Sequence, residues 1–204
     1  MGEGVNKYLP PGGLIRWTIQ AIDGMLRRHY GVVCYSDHPD CLLRISPGIS
    51  DMNIMLSDGK QVRTGDPVLD LHLWNERLAN HLLTKQGLAR GRALLRHFHI
   101  SLRLLSDWCG SDSNRGSFIA LRAEFGMVTD IHKVEPILEK LGFDTTLKER
   151  PGVRLWRRAF WDNLFSMALM WTFNPGFTRT RSLTDLVRAR MWMSLERLHE
   201  LYLH

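Results

Sequence analysis

The strongest constraint on the fold lies in residues 57–78, where turn signals and an alternating strand pattern follow one another directly. The first signal, Asp58-Gly59, predicts a two-residue hairpin turn, because glycine adopts the positive φ that such a turn needs without steric cost. Residues 54–56 are then expected to pair with residues 61–63.

A strand is expected over residues 68–73, directly after a second turn signal that ends in Pro67. Proline cannot donate a hydrogen bond to a sheet ladder, so a strand starts most naturally after it. Successive side chains of a strand point to opposite faces. One face is predicted to carry Leu69, Leu71 and Leu73 into the core, and the other Asp70, His72 and Trp74. The strand therefore places a carboxylate and an imidazole side by side.

Further polar groups lie at the two ends of this strand. Asn75 is a good helix N-cap, and Glu76 suits the positive end of the helix dipole. A carboxylate beside an imidazole fixes its tautomer and raises its pKa, which is how many general bases are oriented. We therefore take His72, Asp70 and Glu76 as candidate catalytic residues. Asn75 and Asp66 are candidate ligand-binding residues. A solvent-facing strand and an ordinary helix cap would explain the same residues without a function.

The same stretch carries a resemblance. Residues 56–78 read LSDGKQVRTGDPVLDLHLWNERL, residues 125–143 begin with FGMVT and end with KLGF, and residues 174–202 contain NPG, WMS and a final LY. In this order, the three blocks resemble the YkoP-like domain family of bacteria. The similarity spans residues 17–202. Some members of that family are joined to polysaccharide deacetylase domains or encoded beside envelope glycan genes, so the resemblance implies a cell-envelope setting.

Length, composition and charge bound the remaining choices. The 204 residues suffice for one substantial core, and no low-complexity linker divides them, so residues 1–204 are predicted to form a single domain. The hydrophobic content of 44% and charged content of 24% are typical of folded proteins. The net charge of +6 predicts an anionic partner, whether lipid headgroups, nucleic acid or an acidic substrate.

Cysteine use and the N-terminal residues both favour a cytoplasmic location. The three cysteines are an odd number at no metal-like spacing, so reduced thiols are the simplest interpretation, although a Cys34–Cys41 disulfide stays open. Residues 1–13 lack the apolar core of a signal peptide. His97 and His99 lie two apart on a predicted helix and so point in different directions. No metal site and no cofactor are predicted, since phosphate-binding loops and nucleotide motifs are also missing from the sequence.

The order of periodic segments predicts the fold class. Helical spacing recurs in residues 14–30, 75–87, 88–109 and 130–141, and short strand signals lie between these segments. We therefore expect an α+β domain with a small, mostly antiparallel sheet packed by four or five helices.

Residues 153–181 form an unusual segment that is rich in tryptophan and arginine. Residues 153–173 contain three tryptophans, three phenylalanines and two methionines beside a narrow polar strip. Such a helix is either buried centrally in the domain or lies in a membrane interface. It is not a spanning helix, because its uninterrupted apolar run, residues 164–171, is far shorter than the roughly 20 residues that a bilayer requires.

Basic side chains in this segment are candidate ligands for anionic lipid headgroups. They are Arg154, Arg157, Arg158, Arg179 and Arg181. The favoured function is a peripheral membrane-associated protein of bacterial envelope lipid or glycan metabolism, on the inner face of the cytoplasmic membrane. Its partners would be an anionic lipid or envelope precursor and envelope enzymes. The alternative is a soluble acid/base enzyme centred on His72 that acts on an anionic small molecule. A nucleic-acid-binding module is less favoured, because no recognition helix or aromatic platform is visible.

Overall fold

The computed structural model of the protein describes residues 24–25, 28–74, 77, 87–111, 117–128, 135–147 and 187–203. Seven strands and three helices have defined bounds within these ranges. The strands are β1 (Leu43–Ile49), β2 (Ile54–Met55), β3 (Gln61–Val62), β4 (Pro67–Leu73), β5 (Ala120–Val128), β6 (Asp144–Leu147) and β7 (Val187–Ser194). The helices are α1 (Gly87–Gly110), α2 (Glu135–Lys140) and α3 (Leu195–Tyr202).

Five strands form the main sheet in the order β1-β4-β5-β7-β6, and β2 and β3 form a separate small sheet. Neighbours in the main sheet run antiparallel except β4 and β5, which run parallel. Parallel pairing requires a crossover connection of about a dozen residues or more, and the chain between these two strands includes α1. The long helix therefore returns the chain to the end of the sheet from which β4 started.

The predicted fold class is wrong in two respects. The main sheet is mixed and is accompanied by a second, two-stranded sheet, whereas a single, mostly antiparallel sheet was expected. The described part of the chain contains three bounded helices, of which α2 has only six residues, and not four or five that pack the sheet. Helical periodicity is a local signal, so it identified α1 but could not give the direction of the strands that the helix connects.

All three helices pack on one face of the main sheet, which we call the inner face. Its apolar core joins side chains from the strands to side chains from each helix. The buried contributors include Leu69 and Leu71 of β4, Leu102 and Leu105 of α1, Leu138 of α2, and Leu198 of α3. Leu73 packs against the same cluster. The predicted strand is thus confirmed, and its leucines face the core as expected.

The small sheet covers part of the opposite, outer face. The predicted hairpin forms, but Ile54 pairs with Val62, one residue away from the predicted register, because the turn between the strands has three residues and not two. The amide of Leu56 donates to the Lys60 carbonyl across the turn, and Gly59, the residue before Lys60, has a φ of +85°. A glycine with positive φ is what lets a three-residue loop close on its partner strand. Leu56 and Val62 then pack on Val68, Ala120 and Trp192 of the main sheet.

Several predictions concern residues outside the described ranges. These are most of the N-terminal helix over residues 14–30, the helix start at Asn75 and Glu76, and the whole of residues 153–181. Among the described helices, none combines the length and apolarity that crossing a membrane requires. The three cysteines are free thiols.

Candidate functional site

Charged and polar side chains collect on the outer face of the main sheet, beside the small sheet. They come from four neighbouring strands, because alternate residues of each strand point to this face. The cross-strand pairs are Arg44 with His72, Ser46 with Asp70, Asp70 with Arg122, Arg122 with Trp192, and Glu124 with Arg190. We call these residues, together with Asp51 from the loop after β1, the outer-face cluster.

Asp70 is held by a two-pronged ion pair with Arg122. The Nε of Arg122 donates to Oδ1 at 2.6 Å, and Nη2 donates to Oδ2 at 2.8 Å. These hydrogen bonds raise the pKa of Arg122 above its ordinary value. Gly48 of β1 is required beside them, because a Cβ at this position would collide with the Asp70 carboxylate. The pair is therefore built into three adjacent strands.

Arg190 has two acidic partners and is almost wholly buried. Its Nη2 donates to Glu124 at 2.9 Å, and its Nη1 donates to Asp51 Oδ1 at 2.6 Å. Burial alone would lower the pKa of Arg190, but the hydrogen bonds to Glu124 and Asp51 raise it above the ordinary value. Burial likewise opposes ionisation of Asp51, yet the Arg190 hydrogen bond and charge hold the pKa of that carboxyl below 3.8.

His72 lies beside this network but is not hydrogen-bonded to Asp70. Its Nε2 lies 2.8 Å from the Oγ of Ser46, which is buried. Burial lowers the pKa of His72 below 6.5, and the nearby positive charge of Arg44 lowers it further, while Asp70 acts in the opposite direction. The imidazole is therefore neutral at neutral pH. Asp70 holds Arg122 in place instead of fixing the tautomer of His72.

Trp74 carries a guanidinium stack at the β1 end of the cluster. The guanidinium carbon of Arg44 lies 4.0 Å from the centre of the indole, and that of Arg77 lies 3.6 Å from it. Arg77 also donates to the His38 carbonyl at 2.6 Å. The contacts of Arg44 and Arg77 with the indole are both within the range of a cation–π interaction. They hold two positive charges against the indole of Trp74, and the charge of Arg44 also acts on the imidazole of His72.

The family model of the YkoP domain matches residues 50–202, which is most of the chain. The chain belongs to the YkoP domain family. The resemblance inferred from its sequence blocks is thereby confirmed. No curated protein and no solved structure gives a match. The matched residues of the YkoP domain include Asp51 and the strands β4, β5 and β7. Strand β1 lies before the first matched residue.

The structure places the predicted site residues of this YkoP domain in different surroundings. His72 and Asp70 lie in the outer-face cluster. Asp66 belongs to the turn before β4, where its carboxylate accepts a hydrogen bond from the Arg63 amide at 2.7 Å. The remaining candidates lie outside the described residues. They are Asn75, Glu76, Arg154, Arg157, Arg158, Arg179 and Arg181.

Sequence reasoning missed five charged members of the cluster: Arg44, Asp51, Arg122, Glu124 and Arg190. A usable signal was present for three of them. In ALRAEF and VRARMW, charged residues alternate with apolar ones, as expected for strands with one core face and one polar face. Which strands neighbour one another is not written in such a local pattern, so the contacts of Arg122 and Arg190 could not be derived from it.

A groove of about 410 Å³ lies elsewhere, and none of the residues lining it belongs to the outer-face cluster. It is lined by Cys109, Gly110, Phe118, Leu195, Glu196, His199 and Leu203. Burial raises the pKa of Cys109 to about 12, so its thiol is protonated and is a poor nucleophile. In the described residues, no group of three or more His, Cys, Asp or Glu side chains is placed to hold a metal ion.

Proposed function

We propose that this YkoP domain is a peripheral membrane-associated protein of bacterial envelope lipid or glycan metabolism. On this proposal it binds an anionic headgroup or envelope precursor at the outer face of its sheet. The observation that carries the proposal is the stack of Arg44 and Arg77 on Trp74 beside His72. An indole holds guanidinium groups in fixed orientations, and a guanidinium presents its N–H groups in a planar fork that matches phosphate and carboxylate oxygens.

The charge state of His72 supports binding of an anion through hydrogen bonds. A neutral imidazole neither repels the arginines nor competes with the ligand for them. Its position 2.8 Å from the Ser46 hydroxyl also keeps the ring oriented. The net charge of +6 and the basic, tryptophan-rich residues 153–181 support an anionic membrane surface as the place of action. The family resemblance supports the envelope setting.

The test uses isothermal titration calorimetry to measure the binding of a soluble sugar phosphate, N-acetylglucosamine 1-phosphate. We expect the wild-type chain to bind it and to ignore uncharged N-acetylglucosamine. Arg77→Gln should weaken binding about tenfold or more, because a hydrogen bond to a charged group is worth about 1.5–3 kcal/mol. Arg103→Gln is the matched control, since Arg103 is exposed on α1. Equal affinities of the wild type and both variants would reject the guanidinium stack on Trp74 as the binding site.

A second candidate function, an acid/base enzyme centred on His72, has its own support. The pKa of His72 below 6.5 keeps the imidazole able to accept a proton at neutral pH, as a general base must. The two candidates differ in the outcome of His72→Gln. A binding protein leaves the sugar phosphate chemically unchanged with or without this substitution. An enzyme converts it in the wild type only, which phosphorus NMR of the incubated ligand would show.

A further inference from the structure

Two arginines of the outer-face cluster converge on one carboxylate oxygen. The Nη1 of Arg190 lies 2.6 Å from Oδ1 of Asp51, and the Nη1 of Arg122 lies 3.3 Å from the same oxygen. The Nη2 of Arg190 adds a contact of 3.2 Å with Oδ2. A position that receives hydrogen bonds from two guanidinium groups is suited to bind a negatively charged oxygen. We call this position between Arg122 and Arg190 the oxyanion seat.

Neither arginine depends on Asp51 alone for a partner. Arg122 is paired with Asp70 from β4, and Arg190 is paired with Glu124 from β5. The side chains of Arg122 and Arg190 are only 13% and 7% exposed, whereas that of Asp51 is 59% exposed. The seat is thus built from the sheet, and its occupant reaches in from a loop.

The geometry points to Asp51 as a built-in competitor, whose carboxylate occupies an oxyanion seat between Arg122 and Arg190 until a phosphate monoester displaces it. The choice of this ligand class rests on the proposed function of anion binding. A phosphate monoester offers three terminal oxygens, enough for the three guanidinium contacts that Asp51 makes.

Displacement requires only that one side chain rotates. The backbone next to Asp51 is fixed, because the Ser50 amide donates to the Asp66 carbonyl and the Gly65 amide donates to the Ser50 carbonyl, both at 2.9 Å. Departure of Asp51 removes one negative charge from the two arginines, so the incoming anion meets less repulsion there than it would with Asp51 in place.

An internal occupant makes the seat selective. The apparent affinity of a ligand is its intrinsic affinity multiplied by the fraction of molecules in which the seat is vacant. If Asp51 leaves the seat vacant in about one-tenth of the molecules, binding is about tenfold weaker. A singly charged carboxylate ligand gains nothing over Asp51 itself. A doubly charged phosphate has more charge and more acceptor atoms, and it is therefore the class of anion that the seat prefers.

The test compares the wild type with Asp51→Asn in titrations with inorganic phosphate. We expect the variant to bind phosphate about tenfold more tightly. Asp37→Asn is the control, because it changes the net charge equally from an exposed position outside the cluster. Adding Arg190→Gln to Asp51→Asn should abolish the gain. An affinity of Asp51→Asn equal to or below that of the wild type would overturn the inference.

A second measurement uses the wild-type chain and does not depend on the folding of a variant. The carboxyl carbon resonance of Asp51 should move toward that of a solvent-exposed aspartate as inorganic phosphate is added. An unchanged resonance at saturating phosphate would also overturn the inference. Vesicles that contain phosphatidic acid, compared with phosphatidylcholine alone, identify the source: extra recruitment of Asp51→Asn indicates a lipid headgroup, and a response to inorganic phosphate alone indicates a soluble phosphate.

The two proposals fail separately in these experiments. A gain in Asp51→Asn together with no effect of Arg77→Gln would reject the proposed guanidinium stack and keep the seat. Loss of sugar phosphate binding in Arg77→Gln together with no gain in Asp51→Asn would keep the proposed function and reject the seat.

Discussion

Burial decides the charge of His72 near neutral pH. The folded state disfavours the imidazolium because the ring is desolvated and lies near Arg44, and Asp70 offsets only part of this effect. The pKa in the folded state is therefore below the ordinary value of 6.5, which also describes the unfolded chain. Between these two pKa values the unfolded state binds more protons. Stability then rises with pH through this window, is complete above it, and is lost as the pH falls.

This linkage predicts that His72→Gln makes stability less dependent on pH. Urea unfolding of the wild type should give a lower free energy of unfolding at about pH 5 than at about pH 7.5, and the variant should lose less over the same interval, since glutamine takes up no proton. His99→Gln, on the exposed side of α1, should keep the wild-type difference. If His72→Gln and the wild type lose the same free energy of unfolding over this pH interval, burial of His72 is not the cause of the pH dependence.

The sequence could predict neighbours on one strand but not across strands. Alternation alone placed Asp70 and His72 on the same face of β4, because side chains two apart share a face. The partner that binds Asp70, Arg122, lies 52 positions later in the chain. A cross-strand pair of this kind depends on sheet order and register, and neither follows from local periodicity.

The small sheet is a stabilising element because it covers the apolar part of the outer face. Leu56 is 3% exposed and packs with Val68, Ala120 and Trp192. Polar contacts at its tip add to this packing, since the Ser57 amide donates to Asp144 at 2.9 Å and Asp58 accepts a hydrogen bond from Ser194. Ser194 is also the N-cap of α3. The hairpin therefore connects the sheet to the start of the last helix.

We predict that Leu56→Ala lowers the free energy of unfolding by about 2–4 kcal/mol, because a buried leucine truncated to alanine loses its transfer energy and leaves a cavity. Met55→Ala is the matched control, since the side chain of Met55, the adjacent residue, is 63% exposed. It should change the stability by less than about 0.5 kcal/mol. Chemical denaturation measures both values. Similar losses in the two variants would mean that the hairpin does not pack on the sheet through Leu56.

Among the helices and strands, the strongest local sequence signals were the reliable ones. Asp58-Gly59 indicated the hairpin and Pro67 indicated the start of β4, because both depend on backbone preferences of a few residues. The loop length was wrong by one residue, since the same glycine also suits a three-residue loop. The parallel pairing of β4 and β5 was not foreseen, because it depends on where α1 returns the chain.

The whole molecule has a sheet with two different faces. Helices α1, α2 and α3 bury the inner face in an apolar core, and the outer face holds the small sheet and the polar cluster. The family could be inferred from sequence blocks spread over the chain, because such blocks can be recognised without knowing the fold. The helix count could not be inferred in the same way, since periodicity over residues 14–30 and 153–173 does not by itself show which helices cover the sheet.

Binding to a membrane surface depends on the charge of the whole chain. We expect the protein to sediment with anionic vesicles at about 0.1 M salt and much less at about 1 M, because the Debye length falls from about 10 Å to about 3 Å. Arg157→Gln combined with Arg158→Gln should reduce binding, since each cation near an anionic surface contributes about 1 kcal/mol. Arg92→Gln combined with Arg103→Gln on α1 removes the same charge and should have less effect.

The salt dependence separates two ways in which residues 153–181 could contact the bilayer. Binding that survives about 1 M salt would indicate inserted tryptophan side chains, because burial of apolar surface is not screened. Binding that disappears would indicate attraction of the arginines alone. Absence of sedimentation with anionic and neutral vesicles at both salt concentrations would contradict the peripheral membrane proposal. In that case, the anionic partner of the outer-face cluster would be a soluble molecule.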